Sequence, residues 1–187
     1  MKQLLTEHVV NLHDTISKDK YGEEVWDMLQ RSYAAIGGFK TASSLEELIE
    51  KSGMWKLVLR DGIVSAVKIY RDQFGKKSIA SGSDGTRQGK LDIFMMMKDD
   101  IKFSRSWAEV SGPVEKLMVK FGAIPIPAKF AEYLSKKKVL SIAPDGYHYA
   151  RLIEGEPHIK IIYGFPVLTP EEKIELELMD IDPSELP

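Results

Sequence analysis

Cysteine is missing altogether from the 187 residues. Its absence excludes a disulfide scaffold, a thiol nucleophile and any cysteine-ligated zinc. Histidine is sparse: His8, His13, His148 and His158 fall in no HExxH-like spacing, so no metal site is expected. Long apolar runs are lacking too. The stretch from Ile93 to Met97 spans only a handful of residues, and MKQLLTEHVVNLHDTISKDK at the N-terminus has no signal-peptide core. Neither is long enough to cross a bilayer, so the expectation is a cytoplasmic protein with no membrane partner. There is also no excess of one charge, with 26 Lys and Arg against 28 Asp and Glu and a formal net charge of −2. Nucleic acid is therefore not the expected partner; KKSIASG, KFSR and SKKK read more simply as solvated faces.

What is present fits one globular domain. Apolar residues make up 43% and charged residues 29%. YGEEVWDMLQRSYAAI (21–36) has one apolar face at helical spacing and is closed by Gly37-Gly38. Ser43-Ser44 caps a second helix, LEELIEKS. MWKLVLRDGIVSAVKIYRD reads as two strands about an Asp61-Gly62 turn, with Trp55, Leu57 and Leu59 on one face and Val64, Ala66, Lys68 and Tyr70 on one face of the return strand. A turn at 73–76 leads to a third strand, KSIAS. After a glycine-rich loop, Leu91, Phe94, Met95, Met97 and Ile101 mark a helical face over 89–103, with one or two of the consecutive methionines in the core and one at its edge. SWAEVSG is a short strand, PVEKLMVKFG a helix ended by Gly122, and IPIPAKF a connection. YHYARLIEGEPHIKIIYGF reads as a long hairpin, leaving a strand edge near 159–163 that suits pairing in a homodimer. Thr169-Pro170-Glu171-Glu172 opens a final acidic helix. A further strand fits 4–11. The sequence divides into one domain over 1–168 and an acidic helix and tail over 169–187.

The most informative stretch is SGSDGTRQGK, Ser81 to Lys90. Gly82, Gly85 and Gly89 let backbone N–H groups point inward just before a helix N-terminus, where Arg87 and Lys90 add positive charge. Such a loop suits a phosphate or pyrophosphate; a plain flexible connection is the competing reading. The P-loop pattern fails, because GTRQGKL is one residue short and Leu91 replaces the metal-binding hydroxyl. The dinucleotide fingerprint GxGxxG is out of register as well, and it follows a meander rather than the first strand of a βαβ unit.

The order of elements, a meander running into an anion-binding loop and then helix, strand, helix and hairpin, resembles the GNAT superfamily of N-acetyltransferases over about 21–165. WKLVLRDGIVSAVKIYR is similar to that family's second and third strands, and SWAEVSGPVEKLMVKFGA to its fifth strand and following helix. The likeness is to a divergent, phage-type member. It implies a mixed, mostly antiparallel α+β sheet with helices on both faces. It also implies direct transfer of an acetyl group from acetyl-CoA to an amine on a small molecule or a protein, with no metal. Gly85, Thr86, Arg87, Gln88, Gly89 and Lys90 would then cradle the pyrophosphate, and Ile79, Ala80 and Ser81 would pair with the pantetheine arm. Glu109 is the first candidate for general base, or else an outward-facing strand charge. Ser111 is a donor to the thiolate, or else a helix cap. Counting from Arg87, Lys90 and Asp92 occupy positions where the family has small residues, and Met118 falls where it often has a tyrosine acid. An alternative consistent with those departures is a catalytically inactive module of this fold acting in protein–protein interaction.

Overall fold

The computed structural model describes residues 7–72, 76–100 and 106–109, together with 117, 120–122, 124–125, 159–161, 169–180 and 182. The chain partitions into two compact units, Met1–Asp72 with Ser78–Met97, and Gln73–Lys77 with Lys98–Pro187.

In the first unit, β1 (Glu7–Leu12) pairs antiparallel with β2 (Met54–Arg60), and β2 pairs antiparallel with β3 (Ile63–Asp72). β4 (Lys76–Ser83) follows beside β3. The β2–β3 turn forms as the sequence predicts: Asp61 (φ 51) and Gly62 (φ 84) both take the left-handed conformation that a two-residue hairpin needs. β3 is not half-buried, since every residue from Val64 to Tyr70 is buried, Lys68 included. A strand covered on both faces loses the alternation that sequence reading relies on.

The grouping of Val64 with Ala66 and Lys68 is corrected here. Val58 lies opposite Ala66 and Leu59 opposite Val64, so Ser65 is one extra residue, a β-bulge. The bulge turns Val64 to the same side as Leu59, Val67 and Ile69, where it joins the core beneath α1.

Helix α1 runs Thr15–Tyr33, six residues longer at its start than the apolar spacing suggests. Its first turns, TISKDK, are polar, and the start is set by Asp14, whose carboxylate accepts from the Ser17 N–H (2.8 Å) and hydroxyl (2.7 Å). The helix tightens to a 3-10 turn at Ala34–Ile36 and stops at Gly37 (φ 92). α2 (Leu45–Lys51) is capped by Ser44, as expected. Val25, Met28 and Leu29 of α1 and Leu48 and Ile49 of α2 pack on Trp55, Leu57, Val67 and Ile69. The buried Lys18 ammonium donates to the Ser52 carbonyl (3.0 Å), fastening α1 to the α2–β2 corner. Burial pushes its pKa down.

α3 (Arg87–Asp99) lies against the other face of the sheet, where Arg60 and Ser65 meet its Asp92. Met96 and Met97 are buried and Met95 is exposed, in line with the expected split of the methionines. The rest of the predicted stripe is corrected. Leu91 and Phe94 are exposed, and the inward face is Gly89, Asp92, Ile93, Met96 and Met97. Helices on both faces of an antiparallel sheet make this the α+β architecture predicted above.

In the second unit, β5 (Ser106–Glu109) and β6 (Ile124–Pro125) both pair antiparallel with β7 (Ile159–Ile161). IPIPAKF thus contributes a short strand rather than only a connection, and residues 159–161 have strands on both sides instead of a free edge. A turn of helix before Gly122 is seen in the Phe121 N–H bond to the Leu117 carbonyl (3.1 Å). α4 (Pro170–Leu178) begins at Thr169 with a reciprocal capping box to Glu172. The hairpin residues Tyr147 and Tyr149, Met118 and Ser111 lie outside the described residues.

Candidate functional site: the β4 edge and the start of α3

The stretch predicted as one loop is three things. Gly82 belongs to β4, Asp84 to Thr86 form a turn, and the helix starts at Arg87 so that Gly89 is helical. Asp84 makes the turn: its carboxylate accepts from the Thr86 N–H (2.9 Å) and hydroxyl (2.7 Å), the usual work of an Asp before Gly. Gly85, at φ 86, has open space around its missing side chain. The Thr86 hydroxyl in turn accepts from the Gly89 N–H (3.0 Å) and so caps α3.

Gly89 is glycine for a packing reason. A Cβ there would lie 2.1 Å from Asp84 Oδ1 and 2.8 Å from the Ser65 carbonyl oxygen. Ser65 is the bulged residue of β3, and its carbonyl also accepts the Asp84 N–H (2.9 Å). The bulge therefore holds both ends of the turn.

Below it sits a buried ionic cluster that sequence reasoning missed. Asp92 receives the Arg60 guanidinium through two bonds, Nε to Oδ2 (2.8 Å) and Nη2 to Oδ1 (2.6 Å). It also accepts from the Ser65 hydroxyl (2.6 Å) and the Gln88 amide (3.1 Å). The Arg60 bonds, opposed by burial and aided by Ser65 and Gln88, hold the Asp92 carboxyl at about 2. The one available signal was an Asp four residues before Met96 and three after Gly89, on one helical face, with an Arg at the end of a strand.

Among the pyrophosphate candidates, Gly85, Thr86, Arg87, Gln88 and Lys90 are exposed and Gly89 is buried. The N–H groups of Arg87 and Gln88 open the helix and have no carbonyl a turn earlier to bond within it. With the Arg87 and Lys90 cations they suit an anion, although the Asp84 carboxylate shares the helix end and Gln88 points its amide to Asp92. Ala80 is in the core, and Ile79 is packed against it.

Successive odd-numbered residues of β4 present their backbone groups along one edge. Side-chain hydroxyls of α1 and the segment after it meet that edge. The Thr41 hydroxyl donates to the Ile79 carbonyl (3.3 Å), the Ser81 N–H donates to the Tyr33 hydroxyl oxygen (3.3 Å), and Ser32 bonds both the N–H (3.4 Å) and carbonyl (3.5 Å) of Ser83. α1 comes this close because Gly82 offers no side chain; a Cβ there would be 3.0 Å from the Ser32 hydroxyl. Burial pushes the Tyr33 phenol up, partly offset by its bonds to Ser81. The ring is held edge-on to Phe39 at 5.3 Å. Glu109 ends β5 in the second unit, opposite Ile159.

Among the described residues, no group of histidines and acids is placed to hold a metal, and no helix is long and apolar enough to cross a membrane. The chain matches no protein-family model and no curated protein sequence. Its backbone is similar to that of the ribosomal-protein-S18-alanine N-acetyltransferase from Escherichia coli, with a TM-score of 0.47 and 14% identity, over 65% of this chain and 79% of that one.

Proposed function

We propose that the chain is an acetyl-CoA-dependent N-acetyltransferase that moves the acetyl group directly to an amine. The observation that carries this reading is the continuity of two features: backbone groups of β4 at 79–83 met by hydroxyls at 3.3–3.5 Å, running straight into a turn and a helix start whose first N–H groups have no intrahelical carbonyl and which carries two cations. An extended ligand with amides along its length and a pyrophosphate at its end fits that sequence of groups. The thioester supplies an activated acyl carbon. The chain's part is to hold it, to donate hydrogen bonds to its carbonyl and to take a proton from the amine.

In this reading Gly85 to Lys90 hold the pyrophosphate, Ile79 to Ser81 pair with the arm, and Glu109 is the base. Ser111 is a thiolate donor or a cap. The acceptor is a small-molecule or protein amine.

Acetyl-CoA at about a hundred times its dissociation constant is expected to raise the thermal midpoint by about 5–10 °C. No shift at millimolar concentration would refute the reading and favour the non-catalytic module. Glu109→Gln is expected to slow turnover by about 10²-fold or more while leaving that shift intact. An unchanged rate removes Glu109 from the role of base.

A further inference from the structure

We propose that Tyr33 is a catalytic residue of the transfer: its hydroxyl, together with the Ser81 N–H, forms the donor pair that receives the developing negative charge on the thioester oxygen. This rests on the acetyl-transfer reading above and names a residue on α1 that neither the loop nor the strand pattern singles out.

The argument begins from what each group has to give. The Ser81 N–H donates to the Tyr33 oxygen across 3.3 Å, a long and weak bond for two such groups. In that arrangement the phenol oxygen accepts from the backbone N–H and also hydrogen-bonds the Ser81 side chain, a contact its O–H can exchange for a stronger acceptor. A carbonyl oxygen entering the β4 edge at Ser81 takes the N–H, and the phenol then meets the same oxygen as a second donor after a small swing. Neither donor needs to be created at the moment of reaction. The neighbouring contacts favour the exchange. Thr41 and Ser32 hold the same edge at 3.3–3.5 Å, so little is lost when a ladder of regular hydrogen bonds replaces them.

Position along the strand agrees with this role. Ser81 stands near the end of β4 and four residues before Gly85, so an acyl end at Ser81 and a pyrophosphate end at the turn and helix start fall at successive places along one ligand. The ring's motion is confined to such a swing, because Phe39 packs edge-on against it and Trp26 packs against Phe39 at 5.7 Å. Burial raises the phenol above its ordinary value, so it stays a proton donor throughout the neutral range.

The step balances without any further reagent. The amine nitrogen attacks the carbonyl carbon, the C–N bond forms, and the C=O electron pair moves onto the oxygen held by Tyr33 O–H and Ser81 N–H. Collapse breaks the C–S bond, the thiolate leaves and is protonated by solvent, and the base takes the amine proton. Tyr33 keeps its proton throughout.

The test is Tyr33→Phe, which keeps the ring and its packing and removes only the hydroxyl. The expected result is a kcat lower by about 10²-fold with KM for acetyl-CoA raised by no more than several-fold, since the donor acts mostly in the transition state. A second readout needs no turnover. Affinity is measured for an acetyl-CoA analogue with a methylene in place of sulfur, which keeps the carbonyl, and for S-ethyl-CoA, which has none. Tyr33→Phe is expected to weaken the first several-fold relative to the second, a ratio independent of how much of the variant is folded. Equal kcat in variant and wild type, or an unchanged affinity ratio, overturns the assignment. A wild type that neither binds nor transfers acetyl overturns the transfer reading and this assignment with it, whereas an active wild type matched by its Phe variant overturns only the role of Tyr33.

Discussion

Asp92→Ala is expected to destabilise the first unit by about 2–4 kcal/mol, because it removes a buried carboxylate on which a guanidinium, a hydroxyl and an amide converge rather than merely deleting a contact. Asp92 is 5% exposed and gathers bonds from Arg60, Ser65 and Gln88. Without it, Arg60 loses two short bonds, and the Ser65 hydroxyl and Gln88 amide lose their acceptor. In a chain of this length the thermal midpoint should fall by about 5–15 °C. The pH dependence follows from the same carboxyl. Its pKa is lowered from 3.8 to about 2, so the folded state binds protons less readily than the unfolded one. Its contribution, on the order of 2 kcal/mol, is present in full above pH 4 and is lost as pH falls through about 2. Urea titrations from pH 5 to pH 2 should therefore show wild type losing stability more steeply than Asp92→Ala. Parallel curves would mean that Asp92 is not ionised in the cluster.

Gly89→Ala should also destabilise, and here the sign is informative. Inside an ordinary helix, alanine gains about 1 kcal/mol over glycine. At Gly89 the added methyl would lie 2.8 Å from the Ser65 carbonyl oxygen, a backbone atom fixed by the bulge, and 2.1 Å from the Asp84 carboxylate. Asp84 has a side chain that can turn away, although it then gives up the Thr86 bonds. Ser65 has no such freedom. Overpacking of this kind costs about 1–3 kcal/mol, enough to outweigh the helical gain. The variant should melt lower and show a smaller thermal shift with acetyl-CoA, since the first turn of α3 must back away from β3. A higher melting point than wild type would show that the helix start is not pinned to the bulge.

Much of this architecture is legible in the residue order. The Asp61-Gly62 turn, the Ser44 cap and the Thr169–Glu172 box are local devices, and each forms where its residues stand. The start of α1 was hidden because it is fixed by a cap rather than by apolar spacing: Asp14 and Ser17 lie before the first periodic residues. The inward face of α3 was hidden for the opposite reason. Hydropathy sends Asp92 to solvent and Leu91 to the core, yet a strand-borne arginine makes Asp92 the better residue to bury. Leu91 is left exposed in its place.

The glycine-rich stretch reads as a ligand loop from its glycines, its two cations and its place before a helix. Two of its glycines also answer to crowding, Gly82 against α1 and Gly89 against β3, and Gly85 is the one at an open turn. The hydroxyls on the β4 edge could not be foreseen. Ser32, Tyr33 and Thr41 reach residues 79–83 only through the way α1 crosses the sheet, a relation between segments about 40–50 residues apart that no local pattern encodes.

The extra residue at Ser65 gives β3 a change of parity. After it, Ala66, Lys68 and Tyr70 set the even-numbered side chains opposite Val58, Lys56 and Met54; before it, even-numbered Val64 has crossed over to stand opposite Leu59. One strand can thereby meet two partners with different demands: a smooth apolar helix on one side, and on the other a helix start that is hydrogen-bonded to the strand itself. Any relative aligned to this chain residue by residue through β3 will keep the same two partners only if it preserves that odd count. A relative one residue shorter here would turn Val64 toward α3 and have no carbonyl to offer the Asp84 turn, and its entry into α3 would have to be built some other way.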